Sequence, residues 1–141
     1  MYQTTHKVLQ NDDRILDFFP SLHFATTENA AVYICGSWQT SDEWQILIKQ
    51  SNLSLKNMIV WKKNNWSMGD LKGAYAGQYE IIFFAHKGRV ELTEGRDRDV
   101  WEFDREPPTL HPTMKPIELI TKAIKNHEAK IIVDFFLGSG S

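Results

Sequence analysis

Two hydrophobic periods run along this chain, one of three to four residues and one of two, and the switches between them delimit its elements. Ile15, Phe18, Phe19 and Leu22 recur at helical spacing behind the acids Asp12 and Asp13, which predicts a helix over 11–24. Pro20 falls inside that pattern, so a break or kink is expected near it. Ala30 to Cys35 is a short β-branched and aromatic run, a buried strand ended by Gly36. Ser37 to Gln50 returns to the helical period, with Ser41 as cap, Asp42 and Glu43 in the first turn, and Trp44, Leu47 and Ile48 as the buried stripe.

Lys56–Lys63 (KNMIVWKK) and Tyr79–Lys87 (YEIIFFAHK) are predicted strands, the second closed by Gly88. Between them Asn64 to Gln78 is a loop rich in glycine and aromatics. Residues 89–110 are charged and irregular apart from a short Val100–Phe103 alternation, and Pro107-Pro108 ends them in extended conformation. Thr113 caps a predicted helix to about Asn126, with Pro116 tolerated in its first turn. Ile117, Ile120 and Ile124 share one face of it, flanked by Leu119 and Ala123. Ile131 to Phe136 is the last predicted strand. Strands that alternate with helices favour a layered α/β sheet over an antiparallel sandwich.

The bulk numbers narrow the class without naming a function. At 141 residues the chain is one domain or part of one, and its 42% hydrophobic and 24% charged residues are ordinary for a globular protein. A net charge of −2 gives no overall basic character, though a local basic stripe is enough to hold nucleic acid. One cysteine, Cys35, makes no internal disulfide, and its apolar run predicts a buried, reduced thiol. With no signal-peptide core and no membrane-length apolar stretch, an intracellular, cytoplasmic protein with no membrane contact is expected. The five histidines lack metal-ligand spacing with cysteine or carboxylates, so no metal is expected.

The chemistry concentrates in the last thirty residues. Ile131 to Phe136 runs through Asp134 into Leu137-Gly138-Ser139-Gly140-Ser141, and glycine at 138 and 140 removes the Cβ that would keep a ligand off the main chain. A glycine-rich turn with no ligand explains that tail equally well on its own. A phosphate-cradling loop is disfavoured, because no lysine follows the glycines. His111-Pro112-Thr113-Met114-Lys115-Pro116 says more: a plain helix entry explains Pro112, Thr113 and Pro116 but leaves His111 and Lys115 unexplained.

Together, HPTxKP at 111–116 and the Asp134-to-Ser141 glycine tail, with nineteen positions between Lys115 and Asp134, resemble the paired cofactor motifs of the amino-group DNA methyltransferases. Those enzymes methylate adenine N6 or cytosine N4 with S-adenosylmethionine. The stretches Ile59–Lys63, Gly69–Tyr75, Tyr79–Gly88 and Val100–Phe103 resemble the family's segments between its catalytic and HPTxKP motifs, in its permuted order. The resemblance implies a partial methyltransferase (Rossmann-like) α/β sheet with flanking helices. It also implies a cofactor pocket drawn from His111, Pro112, Thr113, Lys115, Asp134, Phe135, Phe136, Gly138, Gly140 and Ser141. Double-stranded DNA is the implied partner. Lys62, Lys63 and Lys72 are candidate phosphate contacts, and Trp66 and Tyr75 candidate supports for a base rotated from the duplex. A solvated loop beside a core tryptophan accounts for the same residues.

One part of the family pattern is missing. Its catalytic tetrapeptide, Asp/Asn/Ser-Pro-Pro-aromatic, does not occur: Pro107-Pro108 follows Glu106, precedes Thr109 and lies too late in the chain. No catalytic residue is therefore assigned. The expectation is a single partial domain, 1–141, lacking the catalytic strand upstream and the rest of the cofactor half downstream, inactive alone and prone to self-association through exposed strand edges. Two rivals are a non-catalytic DNA- or partner-binding remnant of a methylase and an unrelated nucleotide-binding enzyme.

Overall fold

The computed structural model describes residues 19–105 and 114–135. Its elements are α1 (Phe19–Ala25), β1 (Ala30–Gly36), a short 3-10 turn (Trp38–Thr40), α2 (Ser41–Gln50), β2 (Ser54–Lys62), β3 (Tyr79–Lys87), β4 (Val100–Glu102) and α3 (Ile117–Lys125). The four strands form one mixed sheet in the order β1-β3-β2-β4. β3 runs antiparallel to both of its neighbours, and β4 lies parallel to β2 at the edge.

β3 is the middle of the fold because its sequence is apolar in both phases of the strand period. Ile81, Phe83 and Ala85 face one layer, and Ile82 and Phe84 face the other. The first layer is closed by Phe19 and Leu22 of α1 and by Trp44 and Ile48 of α2. The second is closed by Trp61, Trp101 and Leu119 of α3. Burying a leucine as fully as Leu119, which is 1% exposed, contributes about 1.5–3 kcal/mol. That contact fastens α3 to the sheet.

Several expectations shift in detail. Pro20 stands near the start of α1 as described, and the helix runs unbroken from it to Ala25. Residues 11–18 of the predicted helix lie outside the described residues. Thr40, not Ser41, holds the N-cap position of α2, and its Oγ1 accepts from the Trp44 indole at 3.2 Å. Ser37 caps the preceding 3-10 turn by accepting from the Gln39 N–H at 3.2 Å. α3 begins after Pro116, and its inward face centres on Leu119 with Ile120 and Ala123, while Ile117 and Ile124 turn outward. The expected cap, Thr113, lies outside the described residues.

The largest departure is the last predicted strand. Ile131 to Phe135 carry no strand, and Ile131, Ile132 and Val133 are 78%, 59% and 54% exposed. A strand exists only as one side of a hydrogen-bonded ladder. Among the described residues the sheet consists of β1, β3, β2 and β4, and residues 131–135 pair with none of them. Phe136 lies outside the described residues.

Glycine is required where β1 and β3 end. A Cβ on Gly36 would come within 2.9 Å of the Phe83 ring and 3.0 Å of the Trp44 indole nitrogen, so a side chain there would part the strand from α2. Gly88 turns the chain with φ +70° directly against Asn29.

Candidate active site at one end of the sheet

Because β3 is antiparallel to β1 and β2, its amino end meets their carboxyl ends. In register, Gly36 faces Ile81, Trp61 faces Glu80, and Lys62 faces Tyr79. A hollow of about 270 Å³ opens there, lined by Cys35, Gly36, Ser37, Trp38, Tyr79, Glu80 and Lys115. Trp38 and Tyr79 are substantially exposed at its rim.

Glu80 is its electrostatic centre. Its Oε1 lies 2.7 Å from Lys63 Nζ and its Oε2 lies 2.9 Å from Lys115 Nζ. Both ammonium groups also sit over the Trp61 ring, at 5.2 and 5.8 Å from its centroid. Burial pushes the Glu80 carboxyl up, but the charges and hydrogen bonds of Lys115 and Lys63 outweigh it and hold the group below the usual carboxylate range.

Cys35 corrects the expectation of a buried thiol: it is exposed on the face of β1 that turns toward the hollow. Desolvation still pushes the thiol above its ordinary value. Lys115 pulls it down, and Glu80 and Asp134 add to the rise. A thiol kept protonated in this way is a poor nucleophile. The same interaction places Asp134 within electrostatic reach of Cys35 and the hollow. Lys115 and Asp134, nineteen positions apart in sequence, thus converge on one end of the sheet. Phe135, beside Asp134, is 38% exposed. His111, Pro112, Thr113, Phe136, Gly138, Gly140 and Ser141 lie outside the described residues.

The candidate DNA residues divide. Lys63 turns inward to Glu80 with only 20% of its side chain exposed, so its ammonium is held away from solvent. Lys62 is half-exposed and pairs with Glu102 at 3.2 Å on the surface. Trp66, Lys72 and Tyr75 stand out in solvent on the Asn64–Gln78 loop, together with Met68 and Leu71. The loop is closed at its neck, where the Lys63 N–H donates to the Gln78 carbonyl and the Gln78 side-chain amide donates to the Lys63 carbonyl, each at 2.9 Å. Asp70 shapes its tip by accepting the N–H groups of Lys72 and Gly73, and those two bonds hold its carboxyl below the usual range.

Sequence reasoning missed Glu80, Trp38 and Tyr79. The signal for Glu80 was present: it shares the strand phase of Ile82 and Phe84, so a carboxylate there must find a cation. Among the described residues no group of three or more His, Cys, Asp or Glu is placed to hold a metal ion, and no helix is long and apolar enough to cross a membrane.

The family model described as DNA methylase, of the N6/N4 methyltransferase type, matches residues 1–141, and the chain belongs to that family. Its fold is shared with the crystal structure of M1.HpyAVI, at a TM-score of 0.74 and 18% identity over 94% of this chain and 68% of that one. The M1.HpyAVI–SAM complex aligns at a TM-score of 0.63 and 18% identity, over 82% of this chain and 60% of that one. The chain therefore spans roughly 60–68% of the length of these solved structures. No curated protein matches it in sequence.

Proposed function

We propose that this chain is the middle and cofactor-motif portion of an S-adenosylmethionine-dependent DNA methyltransferase acting on an exocyclic amino group, adenine N6 in preference to cytosine N4. The observation that carries the reading is that Lys115 lines a hollow at the end of the sheet and that Lys115 and Asp134 both act electrostatically on Cys35 in its wall. Open α/β sheets bind ligands at such an end. A cation in the wall of the hollow and an anion acting on the same thiol also suit a zwitterionic amino-acid moiety, so the residues present fit the methionine end of this cofactor. Bound there, S-adenosylmethionine supplies an electrophilic methyl group on a sulfonium.

The chain's own residues then bind and orient. Asp134 favours the cofactor's ammonium end, Lys115 borders it while paired with Glu80, and Phe135 extends the same wall. Lys62 and Lys72 contact phosphates, and Trp66 and Tyr75 offer faces to an unstacked base. Lys63 leaves the phosphate set because Glu80 occupies it. The exocyclic nitrogen is a poor nucleophile while its lone pair is conjugated into the ring. Acceptors of the Asp-Pro-Pro-Tyr type localise that pair, and positioning does most of the rest. No residue of this chain is assigned that role, so the 141-residue chain is expected to be inactive.

Methyl transfer from tritiated cofactor tests this reading. The chain extended to carry both motifs should label DNA, and Gly138→Leu in that protein should abolish labelling by blocking backbone approach to the cofactor. Transfer by the 141-residue chain alone would remove the proposed mechanism. DNA binding without transfer by the extended protein would favour a non-catalytic remnant.

A further inference from the structure

We propose that Glu80 is the positioning residue of this site, a single carboxylate that ties Lys115 of the HPTxKP segment to the neck of the Asn64–Gln78 loop. The proposal rests on the reading above, which makes Lys115 part of the cofactor site and the loop its DNA-facing part.

The geometry is two-sided. Glu80 spends one oxygen on each lysine, at 2.9 Å to Lys115 and 2.7 Å to Lys63. Both ammonium groups rest over the ring of Trp61, the residue opposite Glu80 in the β2–β3 ladder. Trp61 is 1% exposed and its Nε1 donates to the Phe103 carbonyl at 2.9 Å, so the ring is a fixed seat. Lys63 is also the residue whose main chain closes the loop neck against Gln78. A shift at the neck therefore reaches Lys115 through one carboxylate.

The charge count makes that carboxylate necessary. Without it two like charges share one aromatic face and repel, and each long side chain regains its rotamer freedom by leaving. An isolated surface ion pair would not hold them. A half-buried carboxylate shared between two cations above a locked indole does, because the partners' positions are set by the strands and by the start of α3.

Competitive acetylation of the folded 141-residue chain, read by mass spectrometry at each lysine, tests this directly. Lys62 and Lys72 belong to the same end of the molecule and serve as internal controls. Glu80→Gln should raise the labelling rates of Lys63 and Lys115 together by about threefold or more, the scale of a modest ion pair, and leave the two controls unchanged. A rise at only one of the pair, at neither, or at all four lysines overturns the proposal; the last would report general loosening. If Glu80→Gln does not fold, Glu80→Asp keeps the charge but is one carbon too short to span both lysines. At least one of them must then label faster, and no change at either overturns the proposal. Calorimetry of the extended protein with S-adenosylmethionine judges the underlying reading separately: an absence of binding strikes the cofactor assignment, while the labelling pattern decides the role of Glu80.

Discussion

Tyr33 on β1 and His127 beyond α3, ninety-four positions apart, meet in a 2.8 Å hydrogen bond between the phenol oxygen and Nε2. Burial pushes the phenol up to about 12, so Tyr33 stays protonated and can donate to the neutral imidazole. The same phenol ring stacks on Phe84 at 4.8 Å, which ties the bond into the α3-side core.

This contact makes stability depend on pH in a stated direction. Burial lowers the His127 pKa, with the Glu91 backbone pulling partly back. Burial first, then the charges of Lys56, His127 and Arg89, lowers that of His86. The unfolded chain therefore takes up these protons first as pH falls, and stability is lost from about pH 6.5 downward through the folded values. Urea unfolding should show a lower midpoint at about pH 5.5 than at about pH 7.5, and His127→Gln should shrink the difference. Equal midpoints would show that neither imidazole is held neutral by the fold.

Trp61 is the second stability prediction. Trp61→Phe removes the donor to the Phe103 carbonyl and leaves a void where the indole is 1% exposed, at a cost of about 2–3 kcal/mol. Chemical denaturation should register that loss. An effect below about 0.5 kcal/mol, the range of ordinary surface substitutions, would contradict the packing described.

Self-association should follow from an exposed apolar segment and from the unpaired edge of β1. Ile131, Ile132 and Val133 are all more than half exposed, and among the described residues no strand covers that edge. Sedimentation of the chain should show mass rising with concentration, and Ile132→Lys should reduce the association. A chain that stays monomeric at high concentration would mean this surface does not self-pair.

For DNA the lysines are expected to separate by their partners. Lys62→Ala and Lys72→Ala should weaken binding of the extended protein to every sequence and flatten the salt dependence by about one counterion each. Lys63→Ala should leave the salt slope unchanged, because its ammonium is turned inward to Glu80 with only 20% of the side chain exposed. Binding titrations over a salt series distinguish the three, and an equal slope change at Lys63 would return it to the phosphate contacts.

Elements with strong local patterns, and the family, are legible along the chain alone. β3 matches its predicted bounds, Tyr79–Lys87, because an apolar run, Ile81 to Ala85, flanked by a further aromatic and closed by Gly88 has one reading. The motif pair at 111–116 and 134–141 pointed to the N6/N4 methylases without any coordinates, and the family model agrees over the whole chain. Only the tertiary structure decided what depends on a partner. Ile131–Phe135 has strand composition but no ladder to join, and the outward turn of Ile117 and Ile124 follows from where Leu119 meets the sheet. Lys63 reads as a DNA contact in sequence and is a ligand of Glu80 in space. Charge and hydrophobicity belong to single residues and can be read along a chain. Pairing, burial and the neutralisation of one charge by another belong to residues brought together by the fold, and Glu80, thirty-five positions from Lys115, became their shared anchor only once β3 and the start of α3 stood side by side.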